Sequence, residues 1–148
     1  MTKADRLKPV SKIADERERA AAQILAKAQN TLLQRQQRLQ ELTSYRNEYV
    51  TQYSADPNLA RPVVLINDFR VFLARLDHAI VQQQGMVEAS RRDYEKKKQD
   101  WLKEHTKVKA LEKVIERAAE QEQVIAGRKE QKELDEFVQR IPRGETDQ

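Results

Sequence analysis

Tyrosines spaced four residues apart are the most distinctive binding groups in this sequence. Tyr45, Tyr49 and Tyr53 fall within the stretch YRNEYVTQY, and they are three of only four tyrosines in the chain. Four residues is slightly more than one helical turn, so the three rings would lie along one face of a helix. Tyrosine is a favoured anchor in protein contacts because it buries a large area with few rotatable bonds. The stripe is therefore either helix core or a surface for a partner.

The groups that could perform catalysis lack the spacing that catalysis requires. His78 and His105 stand alone on predicted helix, either solvated or beside a helix contact, and neither has metal-ligand spacing. The three glycines are isolated, so no phosphate-binding loop is predicted. The carboxylates stand within helical reach of bases, which is the ordinary ion-pair pattern. We expect a non-enzyme with no cofactor, no metal and no small-molecule substrate.

The composition favours long helices over a globular core. Of 148 residues, 39% are hydrophobic and 35% are charged, and three glycines and four prolines are few for a loop-rich fold. The chain has no cysteine, and no apolar run approaches the length of a signal peptide or a membrane span. The net charge of +4 comes from residues 91–109, where acids interrupt the bases. We therefore expect an intracellular protein that is not embedded in a membrane and does not bind nucleic acid.

Four prolines mark the ends of two long runs that can be helical. Proline is excluded from helix interiors because it lacks the N–H and clashes with the preceding turn. Pro9, Pro57, Pro62 and Pro142 therefore predict helices over about 10–54 and about 64–141, with a linker over about 55–63 that carries turn residues. The predicted fold is all-α: one domain over 1–148, an antiparallel two-helix coiled-coil hairpin whose second helix is longer than the first.

A heptad pattern supports the coiled coil. Apolar residues recur at alternating intervals of four and three, and they occupy twelve of seventeen positions counted from Phe69. The predicted seam of the second helix is Phe69, Leu73, Leu76, Ile80, Gln83, Val87, Ser90, Tyr94, Lys97, Trp101, Glu104, Val108, Leu111, Ile115, Ala118, Glu122 and Ile125. The seam of the first helix is Ala21, Leu25, Ala28, Leu32, Arg35, Leu39 and Leu42. Folding the chain about the linker sets Arg35 opposite Gln83, a polar layer that would fix the register.

Two surfaces remain that this pairing does not cover. Near the bend, a second row beside the seam holds Phe72, Leu76, Ala79 and Gln83, with Tyr49 and Tyr53 facing inward and Tyr45 facing outward. An alternative is that Leu59, Val63, Val64 and Ile66 fold over this surface and cover it. At the other end, Val10 faces about residue 108, so residues from about 110 to 141 have no intramolecular neighbour. A lone amphipathic helix is marginal in water unless it binds something.

Three motifs together resemble one known family. LTSYRNEY, NDFRVFLARLDHAI and RKEQKELDEFVQR, in a chain of this length, are similar to the FliJ family of flagellar export proteins. The resemblance implies a cytoplasmic part of the flagellar type III export apparatus at the inner membrane. Its expected partners are a hexameric export ATPase, a membrane export gate protein and export chaperones.

The resemblance also implies which residues contact these partners. The gate-binding set by matching positions is Leu42, Tyr45, Tyr49, Phe72, Leu76, Ala79 and Gln83. The ATPase-binding set is Arg128, Gln131, Lys132, Asp135, Glu136, Phe137 and Arg140. Alternatives that the residues leave open are the equivalent stalk of a virulence secretion system, a general coiled-coil chaperone, and a basic DNA-binding dimer.

Overall fold

The protein consists of two α-helices in the residues that the computed structural model describes, 1–54 and 63–142. Helix α1 spans Lys3–Ser54 (52 residues) and helix α2 spans Val63–Arg140 (78 residues). No strand occurs within those two ranges. The prediction of an all-α helical hairpin with a longer second helix is confirmed. Residues 55–62 of the predicted linker lie outside the described ranges.

The chain divides into two compact units. The bend unit is Arg19–Leu102, and the terminal unit is Met1–Glu18 together with the chain from Lys103 onward. Within the bend unit Arg35 bonds to Ser90 and Arg46 to Asp77. Within the terminal unit Glu18 contacts His105, and Ala4 contacts Glu122. In both units, the α1 residue that comes earlier in the sequence contacts the α2 residue that comes later. The two helices of each unit are therefore antiparallel.

The predicted seam is the contact that the helices make in each unit. In α1 every predicted seam residue from Ala21 to Leu42 is buried or half-buried. In α2 the same holds for the predicted positions from Phe69 to Glu122, with Val87 and Val108 each 5% exposed. Ile125 is the exception, because it is 64% exposed and makes no seam layer. The heptad therefore predicts the paired face and extends one position too far.

Helix α1 begins earlier than predicted, at Lys3 rather than about residue 10, and Pro9 lies inside it. A reciprocal cap holds the turn before the proline. Thr2 Oγ1 accepts a hydrogen bond from the Asp5 N–H at 3.2 Å, and the Asp5 carboxylate accepts one from the Thr2 N–H at 3.4 Å. An interior proline costs about 3 kcal/mol in an isolated helix. Here the cap and packing of the first turn against α2 act against that cost.

The early start of α1 shortens the unpaired part of α2. The Ala4 N–H, which has no acceptor within the first turn of a helix, donates to Glu122 Oε1 at 3.3 Å. Ala4 is 8% exposed, and Ala118 is 4% exposed. The prediction that α2 is unpaired from about residue 110 is therefore wrong, and Ile115 and Ala118 belong to the seam. Residues 123–142, which we call the terminal segment, are exposed without interruption.

Candidate functional site

Five aromatic rings meet across the two helices of the bend unit. Tyr53 stacks on Phe69 with ring centroids 3.6 Å apart, and Tyr49 stacks on the same ring at 5.3 Å. Tyr49 also meets Phe72 edge-on at 4.7 Å, and Tyr45 meets Phe72 edge-on at 6.3 Å. Such pairs add about 0.5–1.5 kcal/mol each beyond the area that they bury. This aromatic cluster therefore joins the last turns of α1 to the first turns of α2.

The tyrosines divide between core and surface as the sequence predicts. Tyr49 and Tyr53 are half-buried at seam positions, whereas Tyr45 is 50% exposed beside the seam. Phe72 is half-buried, and its contacts with Tyr45 and Tyr49 bring the aromatic members of the predicted gate-binding set together. Leu42 and Ala79 are also half-buried. A partner at this place would meet mainly Tyr45 and the open side of Phe72.

Two members of that set face the other helix instead of solvent. Leu76 is 8% exposed and Gln83 is 9% exposed. The prediction of an exposed row through both residues is wrong. Both occupy seam positions, where the side chain faces α1. Gln83 Nε2 donates a hydrogen bond to the backbone carbonyl of Arg35 at 3.0 Å, which engages its amide within the chain. In the free chain Leu76 and Gln83 support the surface and do not form it.

Sequence reasoning placed Phe72 and Ala79 on this surface but missed Leu65 and Met86, which extend it along α2. Leu65, Phe72, Ala79 and Met86 repeat every seven residues, so they follow one line along the side of the seam. Leu65 is 52% exposed and Met86 is 44% exposed. The signal was present in the sequence, since four apolar residues in one heptad position beside the seam have no role in a two-stranded core. We call these four residues the flank row.

The proposed cover for this surface is largely absent. Val63 is 80% exposed and Val64 is 70% exposed, so neither packs over the aromatic cluster. Ile66 is half-buried and continues the seam, while Leu59 lies outside the described residues. An ion pair between Arg46 and Asp77 joins the two helices beside the cluster, and both side chains remain partly exposed. The result is an apolar surface bordered by charge, which is typical of a partner contact.

The terminal segment carries the second predicted site. All seven residues of the ATPase-binding set are exposed, and Gln131 Nε2 donates to Asp135 Oδ1 at 3.0 Å. At about 100° per residue, Arg128, Gln131 and Asp135 share an arc of about 60°, with Lys132 beside them. Phe137 lies on roughly the opposite side of the helix and is 62% exposed. The set therefore spans about 240° of the helix circumference and forms no single face.

The titratable groups of the two described helices form local contacts. His105 flanks the seam, which is one of its two expected environments, with Nδ1 2.9 Å from Glu18 Oε1. The Thr2 hydroxyl, the Thr2 N–H and Lys8 hold the pKa of the Asp5 carboxyl below its ordinary value. Within residues 1–54 and 63–142, no three His, Asp or Glu side chains are grouped so as to hold a metal ion. Neither described helix contains an apolar stretch long enough to cross a bilayer.

A match to a known protein family covers almost the whole chain. The family model described as "Flagellar FliJ protein" matches residues 2–146. No curated protein matches the chain. The match includes both helices, the aromatic cluster and the terminal segment.

Proposed function

Because the chain belongs to the FliJ family, and is therefore a component of the flagellar export apparatus, we propose that it serves there as a non-catalytic stalk. In this role the terminal segment binds the hexameric export ATPase and promotes its assembly and activity. The aromatic cluster and flank row contact the membrane export gate. The same chain escorts export chaperones, and it works in the cytoplasm at the inner membrane.

One observation carries the ATPase contact. The terminal segment is helical over 123–140, yet each of its residues is exposed, and the seven predicted contact residues span about two thirds of the helix circumference. A single helix with no packed face gains little stability from its own chain. A ring of subunits that encloses the helix can use side chains on every side, so residues as far apart around the axis as Arg128 and Phe137 can both contribute.

The gate contact is supported by a different observation, in the bend unit. Tyr45, Leu65 and Met86 are exposed beside a cluster that is otherwise well packed. An exposed aromatic side chain on a rigid support loses little entropy on binding and is a frequent hot spot. Because Leu76 and Gln83 hold the helix pair together, their part in gate binding is to position Phe72 and Ala79.

The ATPase contact is tested with purified export ATPase and paired variants of this chain. Phe137→Ala and Arg128→Ala should each lower stimulation of ATP hydrolysis several-fold, with unchanged helix content by circular dichroism. Arg117→Ala is the matched control, because Arg117 is also an exposed arginine of the terminal unit but lies before the terminal segment. Full stimulation by both variants would remove the terminal segment from the ATPase contact.

The same experiment separates the stalk from a general chaperone. A stalk stimulates its ATPase and has no effect in its absence, whereas a chaperone binds many unfolded proteins. The family match is to a flagellar protein, which favours the flagellar stalk over its counterpart in virulence secretion. A chain that suppressed aggregation of several unrelated unfolded proteins, and left the ATPase unchanged, would support the chaperone instead.

A further inference from the structure

The terminal segment carries an apolar stripe that the paired helices do not use. Its spacing alternates between three and four residues, which is the spacing of a coiled-coil seam. The stripe consists of Val124, Gly127, Gln131, Leu134 and Val138 in α2, with Ile141 directly after the last helical residue. Its four large apolar side chains are each between 51% and 58% exposed. We call these six residues the terminal stripe.

The terminal stripe does not continue the seam of the terminal unit. At about 100° per residue, its centre lies about 160° around α2 from the seam residues Ile115, Ala118 and Glu122. Helix α1 packs on the seam side, where Ala4 contacts Glu122. The stripe is therefore open along its full length, and a second helix can lie on it without displacing α1.

Gly127 is the member of the stripe that nothing in the single chain explains. Its φ is not positive, and a Cβ added there would meet no atom within 4 Å. Glycine inside a helix lowers helix stability relative to alanine. A glycine that has no role in the single chain therefore destabilises α2 without any gain within that chain. A glycine at a seam position allows another helix to approach closely, which points to a helical partner at this place.

Two copies of the terminal stripe have complementary side-chain sizes when their helices run antiparallel. If the two-fold axis passes between Lys132 and Glu133, then Val124 meets Ile141 of the other copy. By the same symmetry Gly127 meets Val138, and Gln131 meets Leu134. Each layer therefore sets a smaller or polar residue against a larger apolar one, and Val138 fills the space that Gly127 leaves.

Charge beside the stripe selects the antiparallel arrangement. Arg128 and Asp135 are seven residues apart, so they occupy the same heptad position beside the stripe. In an antiparallel pair, residues at this position contact residues at the same position of the other helix. Arg128 of each copy then faces Asp135 of the other, and the two-fold axis makes this ion pair twice. In a parallel pair Glu130 would instead face Asp135 of the other copy, which is a like-charge contact.

We propose that the terminal segments of two copies of this chain pair antiparallel through the terminal stripe. The pairing uses Arg128, Gln131 and Asp135, which are also members of the proposed ATPase-binding set. The free chain is then a dimer in which these three residues are covered, and it must dissociate before they can bind the ATPase. The pairing itself is independent of the proposed function, and only this exclusion depends on it.

The pairing is tested by sedimentation equilibrium of the full chain from roughly 10 µM to 1 mM, a range that brackets weak association. The expected result is a concentration-dependent dimer. Gly127→Leu should abolish the dimer without unfolding the chain, because a side chain there has open space in the single copy. Gly85→Leu is the matched control, because Gly85 lies in an equally open place outside the stripe. A monomer at every concentration, or equal effects of the two variants, would overturn the proposal.

Orientation is tested by charge reversal. Arg128→Asp should weaken the dimer at least tenfold, because each copy then presents two acids. Arg128→Asp with Asp135→Arg should restore it, since the reversed charges again face each other across the axis. A double variant that stays monomeric would contradict the antiparallel arrangement.

The exclusion needs a separate measurement with the ATPase present. Adding excess ATPase to the dimer should give complexes with single copies of this chain, and raising the chain concentration into the dimerisation range should reduce the fraction of the chain that is bound. If intact dimers bind the ATPase, the exclusion is wrong while the pairing stands. If no ATPase binding is found well below the dimerisation range, the proposed function fails while the pairing again stands.

Discussion

The guanidinium of Arg35 donates a hydrogen bond to Oγ of Ser90 at 2.6 Å, and this contact fixes the register of the bend unit. The same Nη1 donates to the Met86 carbonyl at 3.2 Å, while Gln83 Nε2 returns a bond to the Arg35 carbonyl. Ser90 is 4% exposed. A slip by one heptad would leave these buried polar atoms without partners, which costs more than a displaced apolar layer.

Arg35→Met should therefore destabilise the chain by about 2 kcal/mol, because it keeps the apolar stem and leaves the Ser90 hydroxyl without its donor. Arg35→Met combined with Ser90→Ala should recover most of that loss, since both polar partners are then replaced. Urea unfolding of the two single variants and the double variant gives the coupling energy. Additive losses would show that the Arg35 contact does not set stability, and Arg38→Ala, at an exposed site, controls for loss of charge.

The opposition of Arg35 and Gln83 was predictable because the heptad and the linker together limit the register. The start of α1 was not predictable from the same rules. The proline rule is local, and it was overridden by the Thr2 cap and by the contact of Ala4 with Glu122, which is 118 positions away in sequence. Since that contact was missed, the unpaired part of α2 was predicted to begin about one dozen residues too early.

The end of the seam gives a test with one residue type in two environments. Val108 is 5% exposed, whereas Val124 is 53% exposed beyond Glu122. Val108→Ala should lower the free energy of unfolding by about 2 kcal/mol, because it removes buried methyl groups and leaves a cavity. Val124→Ala should change it by less than about 0.5 kcal/mol. The comparison is made at low chain concentration, so that self-association does not contribute, and equal losses would place Val124 in the core.

The candidate site was predictable where spacing alone decides exposure, as for Tyr45 outside the seam and Tyr49 within it. Spacing did not decide Leu76 and Gln83, because both fit the seam and the row beside it. Their burial follows from the supercoil, which keeps each seam position facing the partner helix over many turns. The spacing of residues in one chain does not identify the partner proteins, so their identities were inferred from the family resemblance.

The first turn of α1 supplies a prediction about pH. The pKa of the Asp5 carboxyl is lowered chiefly by its hydrogen bonds with Thr2. A lowered pKa means that the ionised carboxyl stabilises the fold above its ordinary pKa of 3.8, and that this contribution is lost as the pH falls through the lower folded value. Thr2→Ala should raise the pKa of Asp5 toward its ordinary value and increase amide exchange before Pro9. An NMR titration of the Asp5 side chain measures the first effect, and an unchanged pKa would contradict the cap.

Tyr49 is expected to contribute mainly to stability and Tyr45 mainly to partner binding, so variants of the two can separate these roles. Tyr49 contacts both Phe69 and Phe72, so Tyr49→Ala should destabilise the bend unit by about 2 kcal/mol. Tyr45→Ala loses one edge contact from a half-exposed side chain, so its effect on unfolding should stay below about 1 kcal/mol. If Tyr45 is the gate anchor, the same change should weaken binding of the purified gate protein at least tenfold and leave ATPase stimulation intact. Urea unfolding and a gate-binding titration, run on both variants, decide between the roles. A Tyr45→Ala chain that lost stability as Tyr49→Ala does, and bound the gate normally, would make Tyr45 a core residue and move the contact to the flank row.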